Sequence, residues 1–473
     1  MSRQLSQFRM PVSLRQLFPR SSFVGCADIR VSDATEHSAQ CGPQMLFAAV
    51  PGTRVDGTTF AAEAIDHGAS SLLVQRPIPS VSVPQCVVPD VRRAYAELCG
   101  ALAGFPSRSL GVAGVTGTNG KTTTTWMIRS ILQAAGKPTG LLGTIEYNDG
   151  VDSCPSGMTT PDSKSLAHWL ATMVRRRCTH VAMELSSHAL DQHRAAGTQL
   201  DVAVVTNVTQ DHFDYHHDFE SYLNSKARIF GLCKARGCAV INSDDSGSSS
   251  LIARAESSLP VITYGLDRAA NVTATILEET LQGSRFVMHV GGDEIAVSTK
   301  LVGRHNISNS LAAAAAAFSL GASPADIQRG LENLQFVPGR LERIDCRQPF
   351  NVFVDYAHTD DALLRCIRFL RGLSTGRVIV VFGAGGDRDC SKRPLLGRAA
   401  SEADLDVVTS DNPRSESPEQ IIKDILSGFT GSAPEPWVEP DRAEAIRWAL
   451  EQAEPRDCVL VAGKGHEQFQ ILG

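Results

Sequence analysis

No apolar run in the 473 residues approaches the ~18 that a membrane-crossing helix needs, so no membrane span is expected. Positive charge is not in surplus. Lys plus Arg total 45 against 51 Asp plus Glu, a net of −6, which argues against a chain that coats nucleic acid. Twelve cysteines are spread along the chain, but no Cys-x-x-Cys occurs. Neither a disulfide framework nor a zinc ribbon is therefore indicated, and reduced, small apolar thiols in a cytoplasmic protein are the plain reading. The start scatters Arg3, Arg9, Arg15 and Arg20 with no apolar centre, so no secretory signal is expected there.

What is present suits a folded, multidomain enzyme. Hydrophobic residues make up 42% and charged residues 20%, enough to bury sizeable cores, and the length suggests about three domains. Residues 1–107 mix apolar runs at 45–50, 71–74 and 86–88 with turn pairs such as Pro51-Gly52 and Asp56-Gly57. Residues 108–338 open on Leu110-Gly111-Val112-Ala113-Gly114-Val115 and alternate strand-like runs (179–183, 201–206, 238–241) with helical stretches. Pro338-Gly339 reads as a hinge. Residues 339–473 repeat the rhythm, with buried-strand patterns at 352–354, 377–382, 406–409 and 458–462. Strands alternating with helices predict an α/β fold of parallel sheets covered on both faces. Six consecutive alanines within 310–320 predict a high-propensity helix. The polar stretch 243–250 reads as a solvated loop.

The strongest feature is Gly114-Val115-Thr116-Gly117-Thr118-Asn119-Gly120-Lys121-Thr122. A strand enters, glycines turn the chain and a helix begins at Lys121. Glycines let backbone N–H groups approach phosphate oxygens, and the helix dipole favours the same charge. Lys121 can reach the β/γ-phosphates and the Thr122 hydroxyl can ligate Mg²⁺. Glu184 follows a strand-like run, where open α/β sheets bind ligands, and a carboxylate there suits Mg²⁺. Residues 207–217 crowd acids and histidines beyond another strand. One reading is a transition-metal site of His212, His216 and His217, since the first two stand four apart. The other is His212 alone on a phosphate-bound Mg²⁺, for which the phosphate loop already gives a reason. In its own right, Lys226 reads as a solvated charge on a short amphipathic helix.

The string Thr116-Gly117-Thr118-Asn119-Gly120-Lys121-Thr122 is narrower than a general phosphate loop. It resembles that of the Mur ligases, the ATP-dependent amino-acid-adding enzymes of peptidoglycan synthesis, and of their folylpolyglutamate synthetase relatives. Further strings match in order: Thr159-Thr160-Pro161-Asp162, Gly303-Arg304-His305-Asn306, Pro338-Gly339-Arg340-Leu341-Glu342, Asp355-Tyr356-Ala357-His358, residues 382–389, Asp411-Asn412-Pro413-Arg414 and Gly463-Lys464-Gly465-His466-Glu467. The resemblance implies three α/β domains: uridine-nucleotide-binding at 1–107, a central phosphate-loop ATPase with a parallel sheet at 108–338, and a Rossmann-like amino-acid-binding domain at 339–473.

It also implies roles. Lys121, Glu184, His212 and Lys226 form the implied catalytic set, with Mg²⁺ on Thr122, Glu184 and His212. Lys226 matches the family's Lys-x-x-Ile/Leu-Phe string, whose lysine is carbamylated to N6-carboxylysine and supports a second Mg²⁺. ATP falls to Gly117, Thr118, Asn119, Gly120, Lys121 and Thr122, with Asn306, Arg340 and Asp355. The nucleotide-peptide UDP-MurNAc-L-Ala-D-Glu falls to Ser32, Thr53, Arg54, Val55, Thr159, Thr160, Ser186, Gln192 and Arg194. The family's Asp-Ser-Arg uridine string is aligned with Val31-Ser32-Asp33, which keeps the serine but not the charge pattern. The added amino acid falls to Arg388, Asp411, Asn412, Pro413, Arg414, Gly463 and Glu467. Asp-Asn-Pro-Arg marks meso-diaminopimelate rather than lysine in the family. The implied protein is a cytoplasmic monomer with no nucleic-acid partner. The alternatives are lysine addition, a folylpolyglutamate synthetase-like ligase, and a non-catalytic nucleotide-peptide sensor.

Overall fold

The computed structural model describes residues 11–52, 55–209, 213–429 and 435–472. They fall into two compact units. One ends at Thr273 and takes in Leu311–Ile327; the other holds Ala274–Ser310 and everything from Gln328.

The first unit carries two main sheets. The smaller runs Ser22–Val24, Gln85–Val87, Ser71–Val74, Met45–Ala48, Asp33–Thr35, parallel except for its first pair. The larger has eight strands in the order Ser153–Pro155, Glu146–Asn148, Thr139–Leu142, His180–Glu184, Gly111–Thr116, Leu200–Val205, Cys233–Asn242, Val261–Tyr264. From Thr139–Leu142 onward it is parallel, and the first two strands form an antiparallel edge. Its central strands are buried nearly throughout, which is why they read as unbroken apolar runs rather than alternations.

The helix Val91–Leu102 joins the smaller sheet to the larger. Asp90 caps it, accepting from the Arg93 N–H at 3.0 Å. A Cβ on Gly197 would overlap the Ala96 carbonyl, and one on Gly100 would overlap the Gly197 carbonyl. Backbone meets backbone at this seam, so both positions require glycine. The alanine run lies in the helix Arg304–Ser319. All six alanines are buried, so they serve close packing as well as helix propensity.

Two expectations are corrected. Residues 243–250 are not a solvated loop: Asp245 caps the short helix Ser246–Ser249, and Ser248 is buried. Asp245 also accepts from the Val208 N–H at 2.9 Å, so this turn props the segment beyond the strand Leu200–Val205. In the second unit, but for Thr273 at its boundary, Thr273–Thr280, Gly283–Val290 and Asp293–Thr299 form a three-stranded sheet that the α/β reading did not foresee. Phe286, Met288 and Val290 are buried in alternation with more exposed residues, the period-two signature of a half-buried strand.

The main sheet of the second unit has the order Glu342–Ile344, Asn351–Val354, Cys458–Val461, Val378–Phe382, Leu405–Val408, Trp437–Val438. All pairs but the first are parallel. One face packs on Leu363, Ile367, Leu396 and Ile425, the other on Ala445 and Ala449. Both faces are therefore covered by helices, as the repeated strand–helix rhythm predicts.

Candidate active site

In the first unit, three neighbouring parallel strands end side by side: His180–Glu184, Gly111–Thr116 and Leu200–Val205. Residues 117–120 leave the middle strand and lead into the helix Lys121–Ala134. Gly120 takes a left-handed φ of 83°, costly for a residue with a Cβ. A Cβ on Gly117 would overlap Thr206 Oγ1. The loop is braced from the next strand: the Thr118 N–H donates to the Asn207 carbonyl and the Asn119 N–H to Asn207 Oδ1, both at 2.8 Å. Lys121 Nζ rests on the Gly117 and Thr118 carbonyls, 2.9 Å from each.

Glu184 ends its strand opposite Val115 and is 1% exposed. Its Oε1 accepts from the Thr144 N–H at 2.7 Å, and its Oε2 from the Thr144 and Thr122 hydroxyls at 3.0 and 3.1 Å. A Cβ on Gly143 would overlap Oε1. A buried carboxylate is thus held by hydroxyl and amide donors beside the phosphate loop. That is a hard-oxygen donor set, suited to Mg²⁺ and unsuited to soft metals.

The residues expected to hold the nucleotide-peptide gather around it. Thr159 Oγ1 lies 3.1 Å from Thr144 Oγ1. Thr160 donates to the Glu184 carbonyl at 2.8 Å and accepts from the Ser186 N–H at 3.0 Å. Arg194 donates to the Thr160 carbonyl at 3.2 Å and to Gln192 Oε1 at 2.7 and 3.0 Å. Glu36 adds a carboxylate nearby that sequence reasoning missed. Burial raises its pKa, while His37, Arg92 and Arg194 pull it down.

Ser32 and Val55 are exposed and make no hydrogen bond to this cluster among the described residues. Thr53, Arg54 and His212 lie outside the described residues. Among those described, no group of three His, Cys, Asp or Glu is arranged to hold a metal. His216 is buried among His188, Tyr215 and Tyr222.

Lys226 departs from its solvated reading: it is 1% exposed. It lies in the last turn of the helix Phe219–Ala227, with Nζ 4.4 Å from the centre of the Tyr222 ring. The Tyr222 hydroxyl is 3.1 Å from Thr118 Oγ1, which links this helix to the phosphate loop. Tyr222 was given no role by the sequence.

In the second unit, Asn306 is buried, donating to the Val302 carbonyl at 2.8 Å and accepting from Asn309 at 3.2 Å. The Asp355 carboxylate accepts from the Leu341 and Ala357 N–H groups at 2.7 and 2.8 Å, so it pins the turn that carries Arg340. Burial raises the Asp355 pKa, and the Arg340 charge and the two backbone donors oppose that rise.

The strands Cys458–Val461, Val378–Phe382 and Leu405–Val408 are neighbours, so the loops beyond them meet. Asp411, Asn412, Arg414, Gly463 and Glu467 come together there. Gly386 donates to the Asn412 carbonyl at 2.9 Å and accepts from Arg414 Nη1 at 2.6 Å. A Cβ on Gly386 would overlap the Pro413 carbonyl. Arg388, on the same loop, is exposed. Asn412 Nδ2 donates to Glu467 Oε2 at 3.0 Å, and Lys464 Nζ donates to Glu467 Oε2 and Asn412 Oδ1 at 2.8 and 3.0 Å.

Sequence reasoning left Lys464 unassigned, although its string was noted. It also missed Arg393, a buried guanidinium 2.8 Å from both Glu416 and Asp424. Glu416 in turn accepts from the Asp387 N–H. Asp411 Oδ2 is buried beside Gly463 and accepts no hydrogen bond among the described residues.

Comparison with known proteins agrees with this architecture. The profile of the Mur ligase family catalytic domain matches residues 35–102, that of the Mur ligase middle domain 115–317, and that of the Mur ligase glutamate ligase domain 339–465. A protein of Geobacillus thermodenitrificans strain NG80-2, named UDP-N-acetylmuramoyl-L-alanyl-D-glutamate–2,6-diaminopimelate ligase, is 45% identical over 438 residues, covering 91% of this chain and 89% of its own. One of the same name from Gloeobacter violaceus is 44% identical over 450 residues, covering 94% and 91%. A solved structure bearing that name superposes with a TM-score of 0.73 at 32% identity, covering 98% of this chain and 95% of its own. The braced phosphate loop, the buried carboxylate beside it and this full-length similarity have one explanation: the chain belongs to the Mur ligase family.

Proposed function

We propose that the chain is the ATP-dependent ligase that adds meso-2,6-diaminopimelate to UDP-MurNAc-L-Ala-D-Glu in peptidoglycan precursor synthesis. The observation that carries this reading is the Glu184 node. Thr122 of the phosphate loop and, through Thr144, Thr159 of the acceptor segment converge on one buried carboxylate. On this reading the nucleotide phosphates and the nucleotide-peptide are held on either side of that carboxylate. The relatives named for diaminopimelate support this amino acid over lysine.

A carboxylate is a poor acyl donor at neutral pH. An acceptor carboxylate oxygen attacks the γ-phosphorus, the bond to the β-bridging oxygen breaks and ADP leaves. The resulting acyl phosphate is attacked by the amine nitrogen, and the tetrahedral intermediate expels phosphate as the amine gives up a proton. Phosphoryl transfer asks for positioning and charge neutralisation rather than covalent help. Lys121 neutralises the β/γ-phosphates, the residues 117–122 cradle them, and Asn306, Arg340 and Asp355 serve the rest of the nucleotide. Thr122 and Glu184, with His212, would hold Mg²⁺, which neutralises phosphate charge when bound. Lys226, carbamylated by addition of CO₂ to its amine with loss of a proton, would offer anionic oxygens to a second Mg²⁺.

Thr159, Thr160, Ser186, Gln192 and Arg194, with Ser32, Thr53, Arg54 and Val55, bind the nucleotide-peptide. Arg388, Asp411, Asn412, Pro413, Arg414, Gly463 and Glu467 bind diaminopimelate. The domains run 1–107, 108–338 and 339–473. Every one of these residues is on one chain, and on this reading the enzyme acts as a monomer in the cytoplasm, where ATP is made. No described helix is long and apolar enough to cross a membrane.

The test is mass spectrometry of the product after incubation with ATP, UDP-MurNAc-L-Ala-D-Glu and an equimolar mixture of lysine and diaminopimelate. A product heavier by one diaminopimelate residue is expected. Lysine addition would replace the amino-acid assignment, and no product would overturn the ligase reading.

A further inference from the structure

We propose that Thr144 is a positioning residue that ties the Glu184 carboxylate to the acceptor segment, and that it leaves Thr159 able only to accept a hydrogen bond from the nucleotide-peptide. The inference rests on the functional reading above and goes beyond it. It assigns a role to a residue that carried none and a chemical polarity to one side chain of the acceptor site.

An ionised carboxylate accepts and cannot donate, and a threonine hydroxyl carries one proton. Thr144 Oγ1 lies 3.0 Å from Glu184 Oε2, so its proton goes there. Thr144 Oγ1 is also 3.1 Å from Thr159 Oγ1, and that bond must then use the Thr159 proton. Thr159 is left with lone pairs. A peptide N–H of the ligand satisfies them; a ligand carboxylate oxygen there would face lone pairs with no proton between.

Three features hold Thr144 in this role. Its own N–H donates to Glu184 Oε1 at 2.7 Å, so the residue grips both oxygens of the carboxylate. Gly143 lets the backbone come that close, since a Cβ there would overlap Oε1. The Ser156 hydroxyl donates to the Thr144 carbonyl, fixing the residue from its other side. Thr122 and Thr144 meet at Oε2, so the hydroxyl chain runs from the phosphate-loop helix to Thr159 without a gap.

The test is calorimetric binding of UDP-MurNAc-L-Ala-D-Glu to the full chain without ATP or Mg²⁺, which removes catalysis and metal from the readout. Thr144→Val should weaken binding about ten-fold, and Thr144→Ser, which keeps the hydroxyl, should stay within about two-fold of the parent. Thr144→Val combined with Thr159→Val should bind no worse than Thr159→Val alone. Ligand analogues in which each peptide N–H is replaced in turn by an ester oxygen test the polarity. One of them should bind the parent more weakly yet cost nothing further in Thr159→Val.

Parental affinity in Thr144→Val, or a penalty that persists on the Thr159→Val background, would overturn the positioning role. Ester penalties that are all the same in both proteins would overturn the polarity. Absence of binding to the parent, or parental affinity in Arg194→Ala, would instead overturn the acceptor-site reading on which this rests.

Discussion

The phosphate loop and the proposed amino-acid pocket solve similar problems by different means. Both sit beyond the ends of three neighbouring parallel strands, the usual place for ligands in open α/β sheets. The phosphate loop is a backbone device. Its shape comes from glycine conformations and from peptide groups braced by Asn207, and its chemistry is written in one contiguous string. The amino-acid pocket is a side-chain device, built from residues 383–389, 411–416 and 463–470. Those segments are cross-braced by Lys464, Asn412 and Arg393. Contiguous backbone sites tolerate little change in sequence and can be read from a motif. Side-chain pockets depend on which strands become neighbours, and that is settled only by topology.

Lys121 separates the two sites most sharply. Lys121→Ala should lower phosphate release about 10²- to 10³-fold, the usual cost of removing one preorganised stabiliser. Calorimetric affinity for diaminopimelate should stay at the parental value. If turnover stays within a few-fold of the parent, the phosphate loop is not where ATP reacts.

Next in size is Lys226. Lys226→Ala should lose about 10²-fold in rate, and a short-chain carboxylate supplied in solution should restore part of it, because the missing group is an anion. Arginine at the same position should not be rescued. Mass spectrometry of the intact protein under high bicarbonate should show a labile gain of one CO₂ on the parent and none on the alanine variant. Full activity of Lys226→Ala without additive would remove the carbamate from the mechanism.

The pocket side of the comparison is sharpened by Arg414. Its planar fork suits the distal carboxylate of diaminopimelate, which lysine lacks. Arg414→Ala should raise the KM for diaminopimelate about 10²-fold, leave the nucleotide-peptide KM nearly unchanged and shrink the discrimination against lysine. Arg414→Lys should recover little, since an ammonium cannot reproduce a bidentate pair. Steady-state kinetics with both amino acids decides; an undiminished preference for diaminopimelate in the alanine variant would refute the role.

How much of this was legible in advance follows the same division. The strands around residues 111–116, 180–184, 200–205, 378–382, 405–408 and 458–461 all stand where apolar runs pointed, because buried parallel strands are apolar on both faces. The sheet at 273–299 was passed over because two of its strands, Gly283–Val290 and Asp293–Thr299, alternate and the third, Thr273–Thr280, has no fully buried residue, and such patterns among charged residues such as Glu278, Glu279 and Arg285 are a weaker signal. The stretch 243–250 looked solvated because serine and aspartate suit both loops and helix caps. Within the sites, Glu184 and Lys121 were visible from strand ends and glycines. Thr144, Tyr222 and Lys464 were not, since each acts on a partner at least 3 and up to 104 positions away, and nothing local distinguishes such a residue from an ordinary polar one.

Lys464 gives the smallest and most selective effect. Burial alone would raise the Glu467 pKa, but the Lys464 ammonium and the Asn412 amide bring it below the ordinary carboxylate value. A carboxylate lowered in this way contributes its stabilising contacts above its unfolded-state pKa and loses them as pH falls through the folded value. In Lys464→Met the main donor is gone while the burial remains, so Glu467 takes up its proton at higher pH. The pair is partly exposed, with side-chain exposures of 11% and 26%. Its contribution is therefore modest, and the acid limb of kcat/KM for diaminopimelate should move up by less than about one pH unit. The acid limb for ATP should not move, because the phosphate loop contains no carboxylate that Lys464 touches. With Glu467 among the proposed diaminopimelate-binding residues, protonating its carboxylate removes a negative charge that attracts an ammonium of that substrate, so the shift should appear in the KM for diaminopimelate and not in kcat. An acid limb unmoved for diaminopimelate, or moved equally for both substrates, would mean that Lys464 braces the pocket without tuning its charge.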